Sequence, residues 1–221
     1  MVKPLSRQDY EPTWRSMQRF TDARDEQTAD EIWLVEHPPI FTLGLAGKSE
    51  HLLATGEIPV IKTERGGQVT YHGPGQVVAY TMIDLRRAGL SIKRMVCLLE
   101  DALIATLAEF SVQAERQTGA PGVYIAPPST LAGSKIGALG LKVRRGCSYH
   151  GVALNVAMDL SPFARINPCG YPGLAVTDIA SAQPQSAMQE ADVTSVATVL
   201  GRQLAQCLAQ DHNVTLEKPA Q

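Results

Sequence analysis

Most apolar stretches in this chain are too short for helices, and several follow one another with only a turn between them. Residues 32–35 (IWLV) and 40–43 (IFTL) are separated by a His-Pro-Pro turn, and a third run lies at 77–83. Strand patterns of this kind rarely alternate with helical ones here, so local hairpins dominate. The pattern predicts an α+β fold, with a mixed or antiparallel sheet flanked by helices.

The helical patterns are fewer and longer. Trp14, Met17 and Phe20 recur at helical spacing behind Pro12, and Ser91 precedes a long apolar stripe as a capping residue. We expect helices at 12–25, 92–110 and 194–208, and strands at 32–35, 40–43, 60–61, 77–83, 123–125, 136–143 and 147–156.

Composition narrows the class of protein. The 221 residues are 44% apolar and 19% charged, which favours one globular domain over residues 1–221. A net charge of −2 gives no electrostatic case for nucleic-acid binding, and no apolar run approaches the ~18 residues that a membrane span requires. The four cysteines are widely spaced without a CxxC pair, which is typical of a reducing cytoplasm. We expect a cytoplasmic monomer.

Two patterns suggest a nucleotide or a metal site, but neither has the residues or the spacing that such a site needs. Residues 44–49 (GLAGKS) imitate a phosphate-binding loop, yet Thr42 stands where that motif needs its first glycine. Cys147 and His150 are three residues apart on a predicted strand, so they should face opposite sides. The sequence therefore predicts neither a nucleotide cofactor nor a metal.

Three segments concentrate chemically useful residues. Residues 65–76 (RGGQVTYHGPGQ) pack four glycines among polar side chains, which suits either a ligand-binding loop or an irregular hairpin. In residues 133–142 (GSKIGALGLK), Lys135 precedes small residues that leave room for a bound chain, although a lysine at a strand end is also ordinary. The predicted strand at 149–155 also contains small residues, Gly151 and Ala153.

The third segment, residues 166–173 (INPCGYPG), holds Cys169 in a loop between a proline and a glycine. Such a loop gives a nucleophile access, although a loop cysteine is often incidental. Reactivity requires a thiolate and therefore a nearby cation or base, for which Lys135 and His150 are the candidates.

The three segments together resemble one family. RGGQVTYHGPGQVVAY at 65–80, GSKIGALGLKVRRG with HGVALNV, and INPCGY resemble the blocks of the lipoyl(octanoyl) transferases, in the same order and over residues 32–180. The chain departs from the family pattern at Gly137 and at Thr177-Asp178. These enzymes move octanoyl from acyl carrier protein to lipoyl domains, as the first step of endogenous protein lipoylation.

The resemblance implies a fold, a site and partners. The fold would be that of lipoate and biotin ligase catalytic domains, with Cys169 as the acyl-accepting nucleophile, Lys135 as its partner and His150 as possible support. No cofactor or metal is implied. The partners would be octanoyl-acyl carrier protein, the lipoyl domains of 2-oxoacid dehydrogenase complexes and the glycine cleavage H protein. The implied substrate-binding residues are Arg65, Gly66, Gly67, Gln68, Val69, Thr70, Tyr71, His72, Ala138, Leu139, Gly140, Gly151, Val152 and Ala153.

Three other functions remain open from the sequence. An ATP-dependent lipoate or biotin ligase would need ATP and a free acid. A non-catalytic scaffold for acyl carrier protein or lipoyl domains would tolerate loss of Cys169. A cysteine hydrolase would pass the acyl group to water instead of a lysine.

Overall fold

The computed structural model describes residues 1–184, 187 and 191–211. The helices among them are α1 (Tyr10–Ala23), α2 (Ile92–Glu109), α3 (Ile179–Ala182) and α4 (Val193–Asp211). The strands are β1 (Val2–Arg7), β2 (Glu31–Glu36), β3 (Ile40–Leu43), β4 (Val60–Lys62), β5 (Val69–His72), β6 (Gln76–Met82), β7 (Ala114–Gln117), β8 (Ala120–Ile125), β9 (Lys135–Arg144) and β10 (Cys147–Asn155). Short 3₁₀ turns lie at Ser49–His51, Ser161–Arg165 and Pro168–Gly170.

Two sheets organise the chain. The larger sheet has seven strands in the order β1-β2-β6-β10-β9-β8-β7, and the smaller one has the order β4-β3-β5. Neighbours in the larger sheet are antiparallel except β1 and β2, and β3 runs parallel to β4 in the smaller sheet. The mixed sheets with flanking helices confirm the predicted α+β fold.

Helices α2 and α4 pack together over one face of the larger sheet. Each presents an apolar stripe at four-residue spacing, with Leu99 and Leu103 of α2 and Leu200 of α4 fully buried. The Ser91 hydroxyl accepts a hydrogen bond from the Arg94 amide at 3.1 Å, which caps α2 as the sequence predicts. No helix in the described part of the chain is long and apolar enough to cross a bilayer.

Helix α1 lies over the opposite face, beside the smaller sheet. Trp14 and Met17 pack there with Val78 and Tyr80 of β6 and with Ile40 of β3. The smaller sheet therefore lies on the α1 side of the larger sheet, and the loop before β5 reaches β9, where the Gly66 amide donates to the Leu141 carbonyl at 2.8 Å. The candidate site described next lies in this region.

The predicted elements fall within a few residues of the observed ones, and three strands were not predicted. Strands β1 and β7 lie at the two edges of the larger sheet, and β5 lies inside the glycine-rich segment.

Candidate active site

A cavity of about 340 Å³ opens between the larger sheet and the segment that leads into β5. This volume falls within the range of small-molecule sites. Cys169 and Lys135 line it, as does His150. Of the expected substrate-binding residues, the lining includes Arg65, Gly66, Gly67, Gln68, Val69, Thr70, His72, Ala138, Leu139, Gly140, Gly151, Val152 and Ala153.

Tyr71 is the exception among those residues, because its side chain lies on the other side of β5. Its ring packs against Phe41 at 5.4 Å and Phe163 at 5.5 Å between ring centroids. Successive side chains of a strand alternate in direction, so Thr70 and His72 reach the cavity while Tyr71 enters a separate apolar cluster.

Arg65 shapes the cavity wall. Its buried guanidinium donates to the Thr42 carbonyl at 2.6 Å, to the Thr42 hydroxyl at 2.9 Å, and to the carbonyls of Gly66 at 2.9 Å and Gln68 at 2.8 Å. Burial lowers the pKa of Arg65 from its usual value. These bonds hold the 65–68 loop in a fixed path over the cavity.

Residues 44–49, which resemble a phosphate-binding loop, support the same wall of the cavity. The amides of Gly44, Leu45 and Ala46 donate to carbonyls of the 65–68 loop at 3.2, 2.9 and 3.2 Å. A Cβ at Gly44 would lie 2.4 Å from the Gly67 carbonyl oxygen, so this close approach requires glycine. The amides that a phosphate would need are thus occupied by the protein.

Lys135 begins β9 and is 5% exposed. Its Nζ donates to the Pro121 carbonyl at 2.8 Å, to the Tyr124 hydroxyl at 3.3 Å and to Cys169 Sγ at 3.3 Å. The structure therefore brings together the two residues that the resemblance pairs, although 34 positions separate them in the chain.

The loop that carries Cys169 is fastened at both ends. The Asn167 amide donates to the His51 carbonyl at 2.9 Å, and Val176 forms a parallel bridge with Lys135 itself. Between these anchors Cys169 has φ 55° and ψ 15°, a left-handed conformation that is costly for a non-glycine residue. The resulting tight turn presents the thiol toward Lys135 at the cavity mouth, beside the 52% exposed Tyr171.

His72 belongs to a buried polar chain. Its Nδ1 lies 2.7 Å from Gln76 Oε1, Gln76 donates to Asn155 Oδ1 at 2.9 Å, and Asn155 donates to the Thr177 carbonyl at 2.9 Å. Burial, reinforced by nearby His37, lowers the pKa of His72 to about 3. A neutral ring in this chain ties β5 and β6 to the segment that flanks Lys135.

His150 sits in β10 with φ 61°, which breaks the alternation of that strand. Its ring consequently stacks on neighbouring Tyr149 and meets Tyr80, so it shares their side of the sheet. Its Nε2 lies 3.6 Å from Glu64 Oε1 and has no hydrogen-bond partner in the part of the chain described here. Burial lowers the pKa of His150.

The sequence did not single out Tyr124 or the backbone of Pro121 and Gly122, which surround Lys135. A Cβ at Gly122 would lie 2.6 Å from Lys135 Cε, so the lysine passes through space that only glycine leaves. A Pro-Gly pair directly before a predicted strand is a signal of such close approach. Within residues 1–184, 187 and 191–211, no group of three histidine, cysteine or acidic side chains could hold a metal ion, and all four cysteines are free thiols.

Solved structures with this architecture define the class. The chain is similar to a lipoate-protein ligase A bound with ATP, with a TM-score of 0.74 and 13% identity over 99% of this chain and 89% of that one. It is also similar to the biotin protein ligase of Aquifex aeolicus in complex with biotin and ATP, with a TM-score of 0.58 and 10% identity over 95% and 70% of the two chains. The fold is that of lipoate and biotin protein ligase catalytic domains.

Sequence comparison gives the family. Residues 9–205 match the lipoyl protein ligase A/B catalytic domain model, so the chain belongs to this family. The octanoyltransferase of Xanthomonas axonopodis pv. citri (strain 306) is 62% identical over 178 residues, which is 80% of this chain and 74% of that protein. The octanoyltransferase of Ralstonia pickettii (strain 12J) is 56% identical over 201 residues, or 91% and 87% of the two chains.

Proposed function

We propose that this chain transfers an octanoyl or lipoyl group from acyl carrier protein to a specific lysine of lipoyl domains, through an acyl thioester on Cys169. The observation that carries the proposal is the 3.3 Å contact between Lys135 Nζ and Cys169 Sγ, both of which line the 340 Å³ cavity. Octanoyltransferases at 62% and 56% identity support the choice of acyl group.

The contacts of Lys135 suit an ammonium. An ammonium has three N–H donors, and Nζ has three acceptors in the Pro121 carbonyl, the Tyr124 hydroxyl and Cys169 Sγ. A cation beside a thiol favours the thiolate, which is the nucleophilic form. The proposed mechanism therefore starts from the reactive form of the pair, an ammonium at Lys135 beside a thiolate at Cys169.

In the first half-reaction the Cys169 thiolate attacks the carbonyl carbon of the donor thioester. Lys135 Nζ is positioned to stabilise the oxyanion that forms, since it already lies against Sγ. The donor carbon–sulfur bond then breaks, and the leaving thiolate takes a proton from Lys135. The products are a free thiol, the acyl-enzyme and a neutral Lys135 amine. One thioester replaces another, so the step is nearly neutral in energy.

In the second half-reaction the neutral Lys135 acts as the base. A free lysine has a pKa near 10.4, so fewer than about one in a thousand is neutral at pH 7. Lys135 takes a proton from the acceptor ammonium, and the amine attacks the acyl-enzyme. An amide bond forms, the Cys169 carbon–sulfur bond breaks, and the amide nitrogen releases a proton to water. The ammonium–thiolate pair is thereby restored.

The cavity supplies binding energy for the acyl chain. Small residues of β9 and β10 meet there in register, with Ala138 opposite Ala153 and Gly140 opposite Gly151. An octanoyl chain has six methylenes, and each contributes about 0.8 kcal/mol when buried, or about 5 kcal/mol in all. Arg65 and His72 act through the walls that they hold, and His150 lines the slot next to Gly151 in β10.

The wider proposal follows the family. Residues 1–221 act as one octanoyltransferase catalytic domain, monomeric and cytoplasmic, with no cofactor, because the donor is already an activated thioester. Acceptors are the lipoyl domains of 2-oxoacid dehydrogenase complexes and the glycine cleavage H protein.

The test is transfer of octanoyl from octanoyl-acyl carrier protein to an unmodified lipoyl domain without ATP, followed by the mass of the lipoyl domain. Cys169→Ser and Lys135→Ala should lose transfer. Cys207 is a half-buried free thiol on α4, so Cys207→Ser is the matched control and should retain transfer. Normal turnover in Cys169→Ser would refute the mechanism. A requirement for ATP and free octanoate would favour a ligase, release of octanoate to water a hydrolase, and binding without transfer a scaffold.

A further inference from the structure

A buried carboxylate lies behind the Lys135–Cys169 pair, on a helix that none of the three sequence segments includes. Glu100 belongs to α2 and is 5% exposed, although acidic side chains are rarely buried without partners. Its two oxygens point to different neighbours. Oε2 accepts from Arg116 Nε at 2.9 Å, and Oε1 accepts from the Gly122 amide at 2.9 Å.

The Gly122 amide belongs to the same peptide group as the Pro121 carbonyl. That carbonyl is the shortest contact of Lys135 Nζ, at 2.8 Å. In a trans peptide the N–H and C=O point in opposite directions across one rigid plane. Glu100 therefore holds one edge of the plane while Lys135 binds the other.

From this arrangement we infer that Glu100 is a positioning residue for Lys135, acting through the Pro121–Gly122 peptide. The hydrogen bond from Gly122 fixes the rotation of the peptide plane, and with it the direction of the Pro121 carbonyl.

The space around this peptide leaves Lys135 little freedom. Gly122 has φ +130°, and a Cβ there would lie 2.7 Å from the Gly137 carbonyl oxygen and 2.8 Å from Lys135 Nζ. The peptide, β9 and the lysine side chain are thus packed against one another. A rotation of the Pro121–Gly122 plane would withdraw one of the two other acceptors that hold Nζ beside Cys169.

Arg116 pairs with the other oxygen of the Glu100 carboxylate. Besides Glu100, its guanidinium binds Asp101 Oδ1 at 2.6 Å and the Cys97 carbonyl at 2.7 Å. Asp101 therefore shares the arginine but has no contact with Gly122 among these bonds. It provides a matched control for loss of a carboxylate near Arg116.

The experiment measures the rate at which iodoacetamide alkylates Cys169, followed on the peptide that contains it, in the full chain. Glu100→Asp keeps the charge but is one methylene shorter and withdraws from the Gly122 amide. Glu100→Gln keeps an oxygen that can accept from Gly122. We expect Glu100→Asp to slow alkylation about tenfold, the effect of one hydrogen bond to a charged group, and Glu100→Gln and Asp101→Asn to stay within about threefold.

The same substitutions in a Lys135→Ala background separate positioning from general destabilisation. If Glu100 acts through Lys135, Glu100→Asp should change the already reduced rate by less than about twofold. Equal slowing in both backgrounds, a wild-type rate for Glu100→Asp, or a slower rate for Glu100→Gln than for Glu100→Asp would overturn the inference.

This inference rests on the proposed role of Lys135, and the two can fail separately. A wild-type alkylation rate in Lys135→Ala itself would refute the ammonium–thiolate pair. A slow Lys135→Ala together with a wild-type Glu100→Asp would refute the role of Glu100 alone.

Discussion

Gly122 offers the sharpest test of how closely the site is packed. In Gly122→Ala, the new methyl would lie 2.6 Å from Lys135 Cε and 2.7 Å from the Gly137 carbonyl, whereas ordinary contact begins at 3.4 Å. Lys135 Cε must therefore move by about 0.8 Å, because the far end of a flexible side chain yields more easily than the Gly137 backbone. We expect a shift of this size to take Nζ out of its 3.3 Å contact with Sγ. A misplacement near 1 Å costs about 100-fold in rate.

Gly119 provides the control, because it also has positive φ, at +79°, but has no atom within 4 Å of an added Cβ. Gly119→Ala should lose about 1–3 kcal/mol of unfolding free energy for the strained backbone, and Gly122→Ala should lose more because of its added close contacts, as measured by urea denaturation. The transfer assay should then show about a 100-fold loss in Gly122→Ala and nearly wild-type turnover in Gly119→Ala. Wild-type turnover in Gly122→Ala, or equal losses in the two variants, would refute the described packing around Lys135.

Three further predictions concern the slot, the helix cap and the buried histidines. Ala138→Leu should slow octanoyl transfer more than acetyl transfer, by about fourfold for each methylene that the leucine displaces, and equal losses would argue against the slot. Ser91→Ala should lower the unfolding free energy by about 1 kcal/mol in urea denaturation without changing transfer, and an unchanged stability would show that the cap is dispensable. Burial holds the pKa of His37 at about 4 and that of His72 at about 3, whereas both take protons near 6.5 when unfolded, so stability is retained above pH 6.5 and lost as the pH falls below it. The unfolding free energy should be higher at pH 7 than at pH 5 by about 2 kcal/mol for each histidine. His72→Gln should reduce that difference by about 2 kcal/mol.

The fold class was predictable because its signals are local. Helix α2 has a capping serine and an apolar stripe, and the strands of the sheet centre are short apolar runs between turns. Edge strands lack these signals. Strand β1 contains Pro4 and mostly polar neighbours, and β7 is largely exposed, so only their pairing partners make them strands.

The site was predictable from its residue types but not from its geometry. The resemblance pairs Cys169 with Lys135, yet their contact depends on the bridge between Val176 and Lys135, which is a tertiary feature. The left-handed His150 shows the same limit. Strict alternation along β10 places its ring on the wrong side, and the sequence carries no sign of the positive φ.

Sequence reasoning overlooked Glu100, which contacts the site, and assigned Gly140 to ligand space that the protein itself fills. Glu100 stands directly before Asp101 on α2, so nothing local distinguishes it from a solvent-facing charge. Gly140 looks like open space for a ligand, but an added Cβ there would lie 2.8 Å from the Gly66 carbonyl oxygen. Its small size lets the 65–68 loop approach β9, so Ala138 is the better position for probing the slot.

The most direct test of the account is the intact mass of the protein after mixing with octanoyl-acyl carrier protein alone, without ATP or acceptor. A thioester on Cys169 predicts one added octanoyl group that hydroxylamine removes, that is absent in Cys169→Ala, and that an unmodified lipoyl domain discharges. An unmodified mass under these conditions, or an adduct that persists in Cys169→Ala, would contradict the proposed thioester on Cys169.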